Sequence, residues 1–220
     1  MSNHRTYRLR VLLFLACAVC AAGALWFVSQ VIGTLDRLDA VEAERDQWQD
    51  SAQVLAALRL TRGSVVADIG CGAGYFSLKL SDITGARGTV FAEDIRTLPL
   101  AFLRLRALLR HRTNIRIVHG GAADPLLPAG AFDAVLIANT FHEFDHPLLI
   151  LAHVRRALRP GGRLVIIDRK PDATERHAIA EEAVETQLRA AGFEVIGRKD
   201  PFITPPHDEP WWLVTAATVP

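Results

Sequence analysis

Hydrophobic positions follow two regimes along this chain. From Ser64 onward, short apolar runs rich in β-branched residues, SVVADIG, GTVFAED, NIRIVHG, FDAVLIAN and RLVIID, alternate with longer stretches whose apolar residues recur every three or four positions, YFSLKLSDI, LPLAFLRLRALLR and LLILAHVRRAL. Near-continuous apolar strands are buried on both faces, and their alternation with helices predicts a doubly wound, mostly parallel α/β sheet. A further helix is expected over TERHAIAEEAVETQLRAAGF, with Gly192 at its C-terminal cap. The last two runs, FEVIGRK and PWWLVTAA, are joined by a loop holding Pro205, Pro206 and Pro210 and read as an antiparallel edge pair that completes a seven-stranded sheet.

The first regime is different. Arg5, Arg8 and Arg10 precede an uncharged run from Val11 to Val28, and apolar character persists to Ile32. A helix of about 20 apolar residues spans a bilayer core, so residues 11–32 read as a transmembrane anchor. A cleaved signal peptide is the rival, with CAAGA as its cleavage site, although Leu25 to Val28 stay apolar where a mature terminus turns polar. Residues 1–10 form a basic tail. Residues 33–50 are a charged helical stalk with Ile32, Leu35, Leu38, Val41 and Trp48 as its apolar stripe, which either packs on the domain or forms a short homodimer contact. The globular domain is assigned to 51–220, beginning with a helix capped at Asp50 or Ser51. The arginines ahead of the span favour a cytoplasmic N-terminus and an exported domain.

Composition narrows the partners. The chain has 220 residues, 50% hydrophobic and 22% charged, enough for one domain and an appendage. A net charge of +1 gives no electrostatic case for nucleic acid. One local exception is the stretch from Ile95 to Ala123, which has no acid but holds Arg96, Arg104, Arg106, Arg110, Arg112 and Arg116. Such a run is ordinarily a solvated helix face; beside a tether it is also a candidate surface for anionic headgroups. Cys17 and Cys20 lie in the apolar span and Cys71 stands alone, so no disulfide framework is implied.

The stretch VVADIGCGAGYF carries the chemistry. Gly70, Gly72 and Gly74 follow a strand and precede a helix, where bare backbone admits a ligand and the first helical N–H groups face it. A dinucleotide fingerprint would put its third glycine one residue later, at Tyr75. Asp68, ending the strand, suits a cofactor with an ammonium group and repels a pyrophosphate. These residues resemble the first motif of the class I S-adenosylmethionine-dependent methyltransferases, D/E-x-G-x-G-x-G, over a domain running from about Ser64 to the C-terminus. The resemblance implies a Rossmann-like methyltransferase fold, S-adenosylmethionine as cofactor, and an acid after the second strand holding the ribose hydroxyls: Asp94, with Glu93 as the alternative. It also implies an adenine contact after the third strand at Asp124, which otherwise simply starts a turn, and matches ALRPGGRLVIID to the family's Pro-Gly-Gly turn and fifth strand.

FHEFDHP contains His142, Glu143 and His146 in the order H-E-x-x-H, a zinc-peptidase signature if helical. Pro147 instead starts a helix after the motif, with Asp145 or His146 as its cap, so the motif reads as a strand-to-helix loop and no metal is assigned. In the resembling fold this loop borders the ligand crevice, and the stretch is similar to the same loop in small-molecule methyltransferases. That placement makes Asn139, Phe141, His142 and Glu143 site candidates, with His142 a base if the acceptor carries a proton, or else a loop-fixing residue. His177 is a further candidate.

The reading is a membrane-tethered methyltransferase acting on a small acceptor, lipophilic ones fitting the anchor best. The alternative is a non-catalytic binding or scaffolding module that retains the fold; an exported domain would favour it, because the cofactor belongs to the cytoplasm. Sequence leaves the side of the membrane open.

Overall fold

The computed structural model describes residues 2–171, 178–205 and 209–218. His177, Pro206 and the start of the expected TERHAI helix lie outside the described residues. Two compact units divide at Ala43 and Glu44. The first consists of most of helix α1 (Ser2–Trp48), whose window of mean hydropathy 2.3 is long and apolar enough to cross a membrane. Leu12, Phe14, Val19, Leu25, Trp26 and Phe27 are exposed along that helix.

The second unit is a three-layer α/β domain. Helix α2 (Ser51–Ala57) is capped by the Asp50 carboxylate, which accepts from the Gln53 N–H at 3.2 Å. It is followed by β1 (Val65–Ile69), α3 (Tyr75–Thr84), β2 (Thr89–Asp94), α4 (Thr97–Leu109), β3 (Ile115–His119) and β4 (Phe132–Ala138). Then come a 3-10 turn (Phe141–Glu143), α5 (Pro147–Ala157), β5 (Leu158–Arg169), α6 (Glu181–Ala190), β6 (Phe193–Ile203) and β7 (Trp211–Thr218). The seven strands are ordered β3-β2-β1-β4-β5-β7-β6, parallel except for β7, which runs antiparallel to both neighbours. The expected edge pair is therefore real, with β7 inserted between β5 and β6.

Strand alternation explains how both sheet faces are buried. Val66, Ala134, Leu136, Val165 and Ile167 pack toward Val54 and Leu58 of the α2 region and Tyr75 and Phe76 of α3. Their neighbours Ala67, Ile69, Val135, Ile137, Leu164 and Ile166 pack toward Ile150, Leu151 and Val154 of α5 and Val184 and Leu188 of α6. Because β1 and β4 adjoin at the centre, their following loops diverge to opposite sides and open a crevice at the carboxyl edge.

Two sequence expectations change. The compact domain takes in Glu44 to Gln49, which the reading above placed in the stalk. Trp48 meets Trp211 edge-on at 5.8 Å, Asp46 accepts from Tyr75 Oη at 2.6 Å and from Lys79 Nζ at 2.8 Å, and the Arg45 guanidinium lies 4.1 Å over the Tyr75 ring. The arginine run, in turn, is not one lipid-facing surface. Arg106 is buried, Arg96 lies on Asp94, Arg112 pairs with Asp82 at 2.6 Å and Arg116 stacks over Phe91, because helix and strand periodicity send neighbouring residues to different faces.

Trp48→Ala should lower the domain's stability by about 1–2 kcal/mol, since a partly buried aromatic contact is lost. Denaturant unfolding of the full chain followed by tryptophan emission measures it, and an unchanged midpoint would show that these stalk residues merely rest on the domain.

Candidate active site

The loop between β1 and α3 carries positive φ at Gly70, Gly72 and Gly74, each for its own reason. A Cβ on Gly70 would lie 2.2 Å from Thr140 Cγ2, and one on Gly74 would lie 2.2 Å from Leu103 Cδ1, so packing excludes side chains there. A Cβ on Gly72 would meet nothing within 4 Å, which leaves bare backbone facing open space. The loop is fixed from two sides. Cys71 N–H donates to the Glu93 carbonyl and Gly72 N–H to Asp94 Oδ2, both at 2.9 Å, while buried Arg106 of α4 donates from Nη1 to the Ala73 carbonyl at 2.6 Å.

Three carboxyl groups surround this loop and behave differently. Asp68 is buried and accepts from Ser77 Oγ at 2.6 Å; burial pushes its pKa up to about 7, against the Ser77 hydrogen bonds. It does not line the cleft as expected from sequence, because the first turn of α3 takes its oxygen. Glu93 is pushed up to about 8 by burial, opposed by the Gly70 N–H and reinforced by Asp94 and Asp68. A Cβ on Gly120 would collide with its Oε1, so a glycine after β3 makes the room this acid occupies. Burial would raise Asp94 too, but the Arg96 side chain and N–H together with the Gly72 N–H hold it below its ordinary value.

The cleft is walled by Ile69, Gly70, Glu93, Asp94, Ile95 and Arg96 on one side and by Thr140, Glu143, Phe144, Asp145 and Ile150 on the other, with Gly121 and Ala122 between. Glu93, expected only as the alternative to Asp94, thus joins it on the wall. Asp124 is not on the wall: its Oδ1 accepts from Leu126 N–H at 2.8 Å and lies 3.4 Å from His153 Nδ1, so the carboxylate serves the turn. Asn139 is also off the wall; it sits at φ 54°, donates its N–H to the Ile167 carbonyl, and keeps a buried Oδ1 without a partner.

The H-E-x-x-H segment is split between the 3-10 turn and the cap of α5, where His146 precedes Pro147, so its two histidines share no helix. Phe141 is buried in the core. His142 turns inward, with its side chain 4% exposed and its Nδ1 2.8 Å from Asp168 Oδ1, while its N–H donates to Asp168 Oδ2 at 3.1 Å. Asp168, at the end of β5, is fully buried. Glu143, Phe144 and Asp145 are the members of this segment that face the cleft, Glu143 lying 3.9 Å from His142 Nε2. Asp168 escaped the sequence reading because nothing local marks a residue brought in by another strand, and Thr140 and Phe144, though inside the loop singled out, carry no chemistry of their own to mark them.

Residues 67–166 match the family described as Methyltransferase domain. The chain is 26% identical to a SAM dependent methyltransferase of Aquifex aeolicus whose crystal structure superposes with a TM-score of 0.68, covering 77% of this chain and 90% of that one. Over these residues the chain is similar to S-adenosylmethionine-dependent methyltransferases. Among curated relatives, the demethylmenaquinone methyltransferase of Geobacillus sp. is 23% identical over 60% of this chain and 57% of its own length. That of Shouchella clausii is 31% identical over 48% of this chain and 45% of its own length. The chain thus spans about half the length of these relatives.

The methyltransferase cofactor is S-adenosylmethionine, and the residues present fit it. Gly72 offers open backbone, Glu93 and Asp94 offer acids to a cationic ligand, and Ile69, Ile95, Phe144 and Ile150 offer apolar walls. The free volume is about 90 Å³, below the roughly 300–1,000 Å³ of pockets for molecules of this size. Arg96, 58% exposed and bonded to Asp94 through Nε at 3.1 Å and Nη2 at 3.2 Å, is the wall member free to swing into solvent.

Two outcomes follow from this geometry. Arg96→Ala should tighten S-adenosylhomocysteine binding about threefold, because Asp94 no longer has to give up a charged hydrogen bond; weaker binding in calorimetry would show that Arg96 holds the ligand instead. For Glu93, the unfolded chain ionises above 4.5 and the folded chain only near 8. The wild type therefore loses stability as pH rises through that window, and Glu93→Gln should show a Tm advantage that widens over this range and then levels. A pH-independent difference would contradict the buried neutral acid.

Proposed function

We propose that the protein is a membrane-tethered methyltransferase that moves a methyl group from S-adenosylmethionine to a small lipophilic acceptor of the quinone type. The observation that carries this reading is the convergence of Gly70, Asp94, Thr140, Glu143, Phe144 and Asp145 on one cleft at the carboxyl edge of the sheet, with Gly72 bonded to Asp94 behind them. The acceptor class is supported by the relatives named above, whose substrate is a demethylated menaquinone, and by the apolar helix at the N-terminus, which suits a substrate held in a bilayer.

The cofactor supplies an activated methyl for in-line displacement, so the chain's own task is orientation, dryness and proton removal. In this reading Asp94 accepts from the ribose hydroxyls once Arg96 moves aside, and Glu93 faces the cofactor's positive charge. Phe144 and Ile150 exclude water from the acceptor's ring. Glu143, on the wall, takes the acceptor's proton. His142 is a positioning residue: its ring and N–H, both bonded to Asp168, pin the turn that presents Glu143.

S-adenosylhomocysteine should bind the full chain in calorimetry and lose at least about tenfold in affinity with Asp94→Ala, the scale of a lost charge-assisted hydrogen bond. Glu143→Gln should leave that binding intact while lowering kcat for a demethylmenaquinone by about 10²-fold. No binding by the parent chain would favour the scaffolding alternative.

A further inference from the structure

Five of the eight large apolar residues exposed on the described domain, Ile95, Leu98, Leu126, Leu148 and Leu149, are 50–68% exposed and lie at one edge. Ile95 lines the cleft itself, and Leu98 follows within the first turn of α4. Leu148 and Leu149 occupy the first turn of α5, between the cleft residues Asp145 and Ile150. Leu126 belongs to the same rim: its N–H is bonded to Asp124, whose carboxylate lies 3.4 Å from His153, one helical turn beyond Leu149 on the same face of α5. Loops after three different strands, β2, β3 and β4, thus each put leucine or isoleucine into solvent around one opening, where a soluble enzyme would ordinarily place polar residues.

We infer that this rim seats on the hydrocarbon–headgroup boundary of a bilayer and lets a lipophilic acceptor pass from membrane to cleft without crossing water. The inference rests on the methyltransferase reading and deepens it by stating how the acceptor arrives. Two features of the chain single out a bilayer as the occupant. The N-terminal helix is long and apolar enough to be a tether, and the chain from Ile32 to Glu44, even fully extended, spans at most about 40 Å, so the domain cannot leave the surface. The rim also mixes Arg96 with Glu143 and Asp145, so it offers apolar insertion rather than a charge match to anionic lipid.

The test uses the full chain with Cys17→Ala and Cys20→Ala, Cys71 being buried, in phosphatidylcholine nanodiscs. A bimane is attached at Leu126→Cys or Leu149→Cys, with Arg87→Cys in the exposed loop before β2 as the reference at the opposite edge. Replacing the lipid by its shallow-brominated form should remove about half of the emission at both rim positions, at low and high salt alike, because an inserted side chain sits within the reach of the bromines. The Arg87→Cys label should be unchanged. Rim labels quenched no more than the reference would overturn the inference, as would quenching that vanishes in high salt. Calorimetry of S-adenosylhomocysteine on the same samples separates the two readings: binding without rim quenching removes only the docking, and rim quenching without binding removes the methyltransferase reading while the surface stands.

Discussion

The site depends on how the β1–α3 loop is stapled to the end of β2. Cys71 and Gly72 donate to Glu93 and Asp94, one through a main-chain carbonyl and the other through a carboxylate, so the loop follows the second strand and not only the first. From the other side α4 holds it with residues three apart, Leu103 against Gly74 and Arg106 on the Ala73 carbonyl. Thr140 closes the remaining side at Gly70. A side chain at Gly70 or Gly74 would push the loop off these contacts, and the open backbone at Gly72 would no longer lie beside Asp94.

That staple also concentrates negative charge. Asp68, Glu93 and Asp94 crowd around a five-residue loop, and burial raises each of them. Asp94, bonded to Arg96 and to the Gly72 N–H, is the one of the three held low. The result is a site with one committed carboxylate and two acids near their ionisation point, so an incoming cation both finds a partner and draws protons off its neighbours. A cofactor carrying a sulfonium meets that electrostatic arrangement, whereas a pyrophosphate would be repelled by it.

The last turn of α1 ties the domain to the segment before it. Arg45, Asp46 and Trp48 pack against Tyr75, Lys79 and Trp211, so residues that look like a charged linker in the sequence are part of the folded unit. Tyr75 is also the residue next to Gly74, which places this packing one residue from the cofactor loop.

Much was legible in the order of residues alone. Apolar runs alternating with helical periods determined the sheet and its two covered faces, because burial on both sides of a parallel strand leaves no other pattern. The run from Asp68 through Gly74 carried the resemblance to a methyltransferase motif, and that resemblance implied the ligand class. Pro147 after His146 determined that the H-E-x-x-H segment is no helix. Which polar side chains face the cleft was decided only in three dimensions. Asp68 was lost to Ser77, Asp124 to its own turn and His142 to Asp168, while Glu93, Thr140 and Glu143 came to the wall. A carboxylate or imidazole binds whichever donor or acceptor folding brings within about 3 Å, and for residues at a sheet's carboxyl edge those neighbours come from strands and helices far away in the chain.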